Sequence, residues 1–102
     1  MTDSKTKSKT NTKTKTKKQL EKQYKVLLHN DDSTTMEFVV CALMSIFEQP
    51  EPVAEAIMLA VHQSGVGIAG VYDKGVANDK AVQTMKAARH EGYPLVCSIE
   101  EL

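Results

Sequence analysis

No tryptophan occurs in this chain, and only two phenylalanines and three tyrosines do. Cysteine is just as scarce. Cys41 and Cys97 stand 56 positions apart with no CxxC pair and no secretory apolar segment, so the expectation is two reduced, mostly buried thiols in a cytosolic protein. Long apolar runs are missing too: no stretch approaches 18 residues, and no membrane partner is expected. The motifs of common catalytic machinery are absent as well, namely GxSxG, a Walker loop and a Cys beside a His. Gly65, Gly67 and Gly70 cluster loosely, but ahead of a strand rather than a helix, which does not suit phosphate binding. HExxH and the EF-hand pattern do not occur. These gaps argue against an enzyme and leave no cofactor and no tight metal motif.

What is present divides into two parts. The formal charge of zero over 102 residues is a cancellation. Residues 1–22 hold eight Lys against Asp3 and Glu21, a net of +6, and residues 23–102 carry a net of −6. The first part, "MTDSKTKSKTNTKTKTKKQ", has no apolar residue after Met1 and cannot bury enough surface to offset chain entropy. It reads as a disordered extension over 1–22, with one folded domain over 23–102. One function class for such a tail is nucleic-acid binding, steeply salt-dependent. The acidic, aromatic-poor remainder argues against nucleic acid as the partner of the folded part.

Within that part, "YKVLLHN" alternates Tyr24, Val26 and Leu28 as a strand. Thr34 and Glu37 fit a capping box. Met36, Val39, Val40, Leu43, Ile46 and Phe47 follow at helical spacing. Pro50 and Pro52 interrupt, and a second helix runs from near Pro52 to a Gly65 C-cap. "VGIAGVY" is a strand ending at "DKG", "ANDKAVQTMKAARHEG" a third helix with Ala81, Met85 and Ala88 inward, and "YPLVCSIEE" a final strand. The order β-α-α-β-α-β predicts an α+β two-layer sandwich, a three-stranded antiparallel sheet carrying three helices on one face.

The polar run Asn30, Asp31, Asp32 at the strand-to-helix handover can be a turn, a cap, solvated acid or a cation socket. If the strand persists to residue 32, alternation sends Leu28, Asn30 and Asp32 to one side and His29 and Asp31 to the other. On the second helix Met58, Val61 and His62 share a face at i, i+3 and i+4. They are either ordinary core with a surface histidine, or the apolar floor and polar edge of a pocket. Asn, Asp and neutral His offer acceptors, and three acceptors around one point suit an ammonium. A metal held by His29, Asp31, Asp32 and His62 is the rival, without ligand spacing to support it.

The runs "YKVLLHNDDSTTMEFVV", "AIMLAVHQSG", "GIAGVY" and "YPLVCSIEE" resemble the ClpS adaptor family across residues 23–101. The resemblance implies the same β-α-α-β-α-β fold and a non-enzymatic adaptor. Such a protein recognises substrates bearing a destabilising N-terminal residue (Leu, Phe, Tyr or Trp) and delivers them to the Clp AAA+ unfoldase, docking on its N-terminal domain. Asn30, Asp32 and His62 match residues that hold the substrate's α-amino group, with Asp31 an acid beside them. Thr34, Met36, Val39, Met58, Val61 and Leu95 match the walls of the side-chain pocket, with Leu28 nearby, and Met36 matches the residue that excludes β-branched side chains. Lys80 matches a basic residue on the unfoldase-contacting surface. Ser33, Thr35, Gly75, Val66 and His29 depart from the common pattern.

Overall fold

A computed structural model describes residues 22–102; the Lys/Thr-rich extension, apart from Lys22, lies outside the described residues. Six elements follow in order: β1 (Tyr24–His29), α1 (Met36–Ser45), α2 (Glu51–Ser64), β2 (Val66–Tyr72), α3 (Lys74–His90) and β3 (Val96–Glu101). The strands form one antiparallel sheet in the order β2-β1-β3. This is the expected sandwich.

Because successive strand residues face opposite sides, β1 commits Val26 and Leu28 to the helix-covered face, where both are fully buried. α3 spans the sheet and touches all three strands, α2 packs on β2, and α1 packs on α2. Small residues at Ala77, Ala81 and Ala88 let α3 approach closely, and the one buried polar side chain among them, Thr84, satisfies itself on the Lys80 carbonyl (2.7 Å). The α2–β2 contact is tighter still. A Cβ on Gly67 would sit 2.7 Å from Val61 Cγ2 and 3.2 Å from the Ile57 carbonyl. Only glycine fits there.

Between Val26 and Leu27 the β1–β2 register slips, since Val26 pairs with Gly70 and Leu27 with Ile68. Ala69 is therefore the extra residue of a bulge. Its carbonyl accepts a 2.8 Å hydrogen bond from the Gln49 amide. In this way the α1–α2 connection is tied to the sheet.

Three expected boundaries move. α1 is capped by Thr35, whose hydroxyl accepts from the Phe38 N–H (3.1 Å), and not by Thr34. With Thr35 as cap the third helical position is Phe38, so Glu37 cannot close a capping box. α3 starts at Lys74 because Asp73 caps it through Val76 N (2.9 Å), turning "DKG" from strand end into helix start. β3 begins at Val96, after Pro94 and the buried Leu95. Cys41 is exposed on α1, whereas Cys97 is buried.

Candidate functional site

β1 ends at His29, and residues 30–35 turn the chain into α1. The strand alternation expected to sort residues 30–32 therefore stops one residue short of them. Asn30 instead donates its backbone N–H to the Gly65 carbonyl (2.9 Å), one step beyond His29 paired with Val66. Gly65 holds φ +90°, a conformation natural to glycine, and caps α2 by donating to the Val61 carbonyl (2.9 Å). The loop and the last turn of α2 are thus fastened side by side, which places His62 across from Asn30 and Asp32.

Asp31 organises the loop from within. Its carboxylate accepts from Ser33 N (2.8 Å), Thr34 N (2.7 Å) and the Thr34 hydroxyl (2.7 Å), an Asx-type turn. Burial pushes this carboxyl up, but the Thr34 and Ser33 hydrogen bonds and the charge of Arg89 outweigh it and hold it below its ordinary value. The Thr34 hydroxyl donates to Asp31, and the next residue, Thr35, caps the helix by accepting from Phe38 N. Asp31, expected beside a bound ammonium, has its carboxylate engaged by its own loop. Asn30, Asp32 and His62 are exposed at the edge of the site.

Between these groups opens a cavity of about 380 Å³, lined by every residue from Asn30 to Met36 and by Val39, Met58, Val61 and His62. That size suits a small ligand or one large side chain. Val39 and Val61 are buried and form its floor, Met58 is half-buried, and Met36 stands 43% exposed at the rim. The sheet approach at Gly67 fixes Val61 from behind. Below the Met36 turn, Phe38 meets Tyr93 edge-on with ring centroids 5.4 Å apart.

Nine of the expected site residues therefore meet at one cavity, and three do not. Leu28 and Leu95 are fully buried in the core and line no part of it; the inward face of the central strand puts Leu28 beneath the helices. Lys80 lies elsewhere, donating to the Ile46 carbonyl at the end of α1 (2.7 Å) and resting 5.3 Å over the Tyr72 ring. Ser33 and Thr35 line the cavity without having been selected from sequence. Arg89, also not selected from sequence, holds the Tyr93 and Leu95 carbonyls (3.0 and 2.8 Å) and acts on Asp31. His29 turns away to Ser98 (Nε2 to Oγ 2.8 Å). Among the described residues no three His, Cys, Asp or Glu converge as a metal site, so the residues proposed for a metal do not form one set.

The family described as ATP-dependent Clp protease adaptor protein ClpS matches residues 19–98. The Clp protease adaptor of Nitratidesulfovibrio vulgaris is 57% identical over 81 residues, covering 79% of this chain and 78% of its own. That of Desulfotalea psychrophila is 44% identical over 101 residues, 99% of both chains. Among solved structures, Agrobacterium tumefaciens ClpS2 bound to L-phenylalaninamide superposes with a TM-score of 0.76 at 32% identity, covering 79% of this chain and 98% of that one. With a family match over most of its length and a relative matched almost end to end, this chain belongs to the ClpS family of Clp protease adaptors.

Proposed function

We infer that the cavity captures the first residue of substrate proteins, the α-amino group at Asn30, Asp32 and His62 and the side chain on the floor formed by Val39, Met58 and Val61. The observation that carries this reading is the pairing of an exposed acceptor edge with a buried apolar floor in one cavity of about 380 Å³. The solved relative from Agrobacterium tumefaciens is bound to L-phenylalaninamide, an amine beside a large apolar side chain. An α-amino group, with an ordinary pKa of about 7.7–8.0, is mostly charged at neutral pH and supplies three donors. Long side chains unbranched at Cβ (Leu, Phe, Tyr, Trp) fit a slot rimmed by methionine, while the stiff β-branched ones do not.

Burying one Leu or Phe contributes about 1.5–3 kcal/mol. Each hydrogen bond to the charged ammonium adds about 1.5–3 kcal/mol. After association costs of several kcal/mol, micromolar affinity for a short peptide follows. The captured protein is then handed to the ATP-dependent Clp unfoldase, whose N-terminal domain docks on the surface around Lys80. There Lys80 works by fixing the α1–α2 turn against α3. Titration of Leu-initiated peptides and their N-acetylated forms tests the capture step. Acetylation should abolish binding, and equal affinity of the two forms refutes the reading. Degradation of a Leu-initiated reporter by the unfoldase and its peptidase, with and without this protein, tests delivery.

A further inference from the structure

Tyr93 stands in the link between α3 and β3 and lines no part of the cavity, yet its ring reaches the first turn of α1. Its backbone is pinned on both sides. The N–H donates to the Ala88 carbonyl (2.8 Å), and the carbonyl accepts from Arg89 Nη1 (3.0 Å). The same Arg89 nitrogen donates to the carbonyl of the buried Leu95 (2.8 Å). From this fixed base the half-buried ring meets Phe38 edge-on, with centroids 5.4 Å apart and planes at 69°. Its hydroxyl oxygen accepts from the Thr35 hydroxyl at 3.5 Å, a long bond, so the aromatic contact is the stronger of the two. Thr35 and Met36, the cap and first residue of α1, both line the cavity, whereas Phe38 does not.

Helical geometry gives this contact a direction. Each helical residue turns the chain by about 100°, so Phe38 projects roughly 200° around the axis from Met36. Met36 faces the cavity and Phe38 faces Tyr93, on nearly opposite sides of one turn. A ring set against Phe38 therefore backs that turn against the cavity. We propose that Tyr93 sets the width of the side-chain slot, a positioning residue that holds Met36 over the cavity and so keeps β-branched first residues out. The proposal rests on the capture reading above and names the residue outside the cavity that governs its selectivity. Leu and Ile are isomers that differ in where they branch, and Ile is stiff at χ1. A slot that separates them does so by its width at the rim, where Met36 stands. A methionine side chain is itself pliable, so discrimination requires that the backbone beneath it be fixed. The body of α1 packs on α2, but a first helical turn has few backbone bonds of its own. Support from outside matters most at that end.

Titration of peptides that begin with Leu or Ile and are otherwise identical, against the full chain and its variants, tests this. Wild type should favour Leu. In Tyr93→Ala the turn can retreat into the space left by the ring, and the Leu-to-Ile affinity ratio should shrink about ten-fold. Tyr93→Phe keeps the edge contact and should hold the ratio within about two-fold of wild type. A merely structural role would lower both affinities together and leave the ratio alone. Phe38→Leu removes the same contact from the other side and should also shrink the ratio, which decides the matter where Tyr93→Ala does not fold. With isotope-labelled methionine methyl groups, the Met36 resonance should shift in Tyr93→Ala while that of Met44, about two turns further along α1, stays in place. An unchanged ratio in a folded variant lacking the ring contact, or a wild type that binds Leu and Ile equally, overturns the role of Tyr93 and leaves capture standing. Leu-initiated peptides that fail to bind wild type, or bind as well when N-acetylated, overturn the capture reading and this proposal with it.

Discussion

Asp31→Ala separates an organiser of the loop from a contact to the ligand. The substitution removes three hydrogen bonds of 2.7–2.8 Å to a charged acceptor. Each such bond is worth more than a neutral one, but the loop lies near the surface, where water replaces what is lost to Ser33 N and Thr34 N. The closest analogue is loss of a helix cap, so stability should fall by about 1–2 kcal/mol. Asp31→Asn should lose less, because its Oδ1 can still accept both N–H groups. Peptide affinity should fall several-fold in Asp31→Ala as Asn30 and Asp32 lose their fixed positions, and it should recover largely in Asp31→Asn. Urea unfolding and peptide titration on the three proteins read both quantities. A pH series adds a check. Asp31 titrates below its ordinary value in the fold, so its contribution is complete above about pH 4 and is lost as pH falls through the folded value. The stability gap between wild type and Asp31→Ala should therefore close only in acid. If both variants unfold like wild type yet bind as poorly as Asp32→Ala, Asp31 touches the ligand and the organising role is refuted.

Gly67→Ala should destabilise the fold by about 1–3 kcal/mol through overpacking against Val61 and Ile57, and weaken peptide binding, since Val61 is cavity floor; thermal unfolding showing no loss would contradict the close approach. Cys41 should react fully with a thiol reagent in the native protein. Cys97, buried and with its thiol pushed up to about 12 by that burial against the opposing charge of Arg89, should react only on unfolding. Early labelling of Cys97 would refute this. His62→Ala should weaken capture of a Leu-initiated peptide several-fold with little change in unfolding, because His62 is exposed; unaltered affinity removes it from the site.

The element order was legible because Val26 and Leu28, the stripe on α1 and the proline break each impose a period or a stop visible in one dimension. The handover from β1 to α1 was not. Two adjacent threonines can each cap a helix; Thr35 takes that role while Thr34 joins the turn built by Asp31, a contact between neighbours that no period encodes. Alternation failed beyond His29 for a related reason: the strand ends where Asn30 turns to bond Gly65, a residue 35 positions away. Met58, Val61 and His62 could be grouped from helical spacing, yet spacing alone could not tell a pocket floor from ordinary core. Leu95 was assigned to the pocket walls by resemblance, with Leu28 nearby; both are fully buried in the core and line no part of the cavity. Lys80 could be seen as a cation but not as the donor to Ile46, since that contact depends on how α3 crosses the end of α1.

The bond from Asn30 N–H to the Gly65 carbonyl makes the socket's width a dimension of the backbone. Its two jaws are consecutive with paired strand residues, His29 and Val66, so their spacing is inherited from the sheet's own repeat. Under the proposed capture, a rim side chain such as Ser33 can therefore be exchanged without altering the gauge against which an ammonium group would be measured. On that reading, recognition of the amine and selection among side chains become separable, the first resting on a spacing set by main-chain pairing and the second left to residues that can change one at a time.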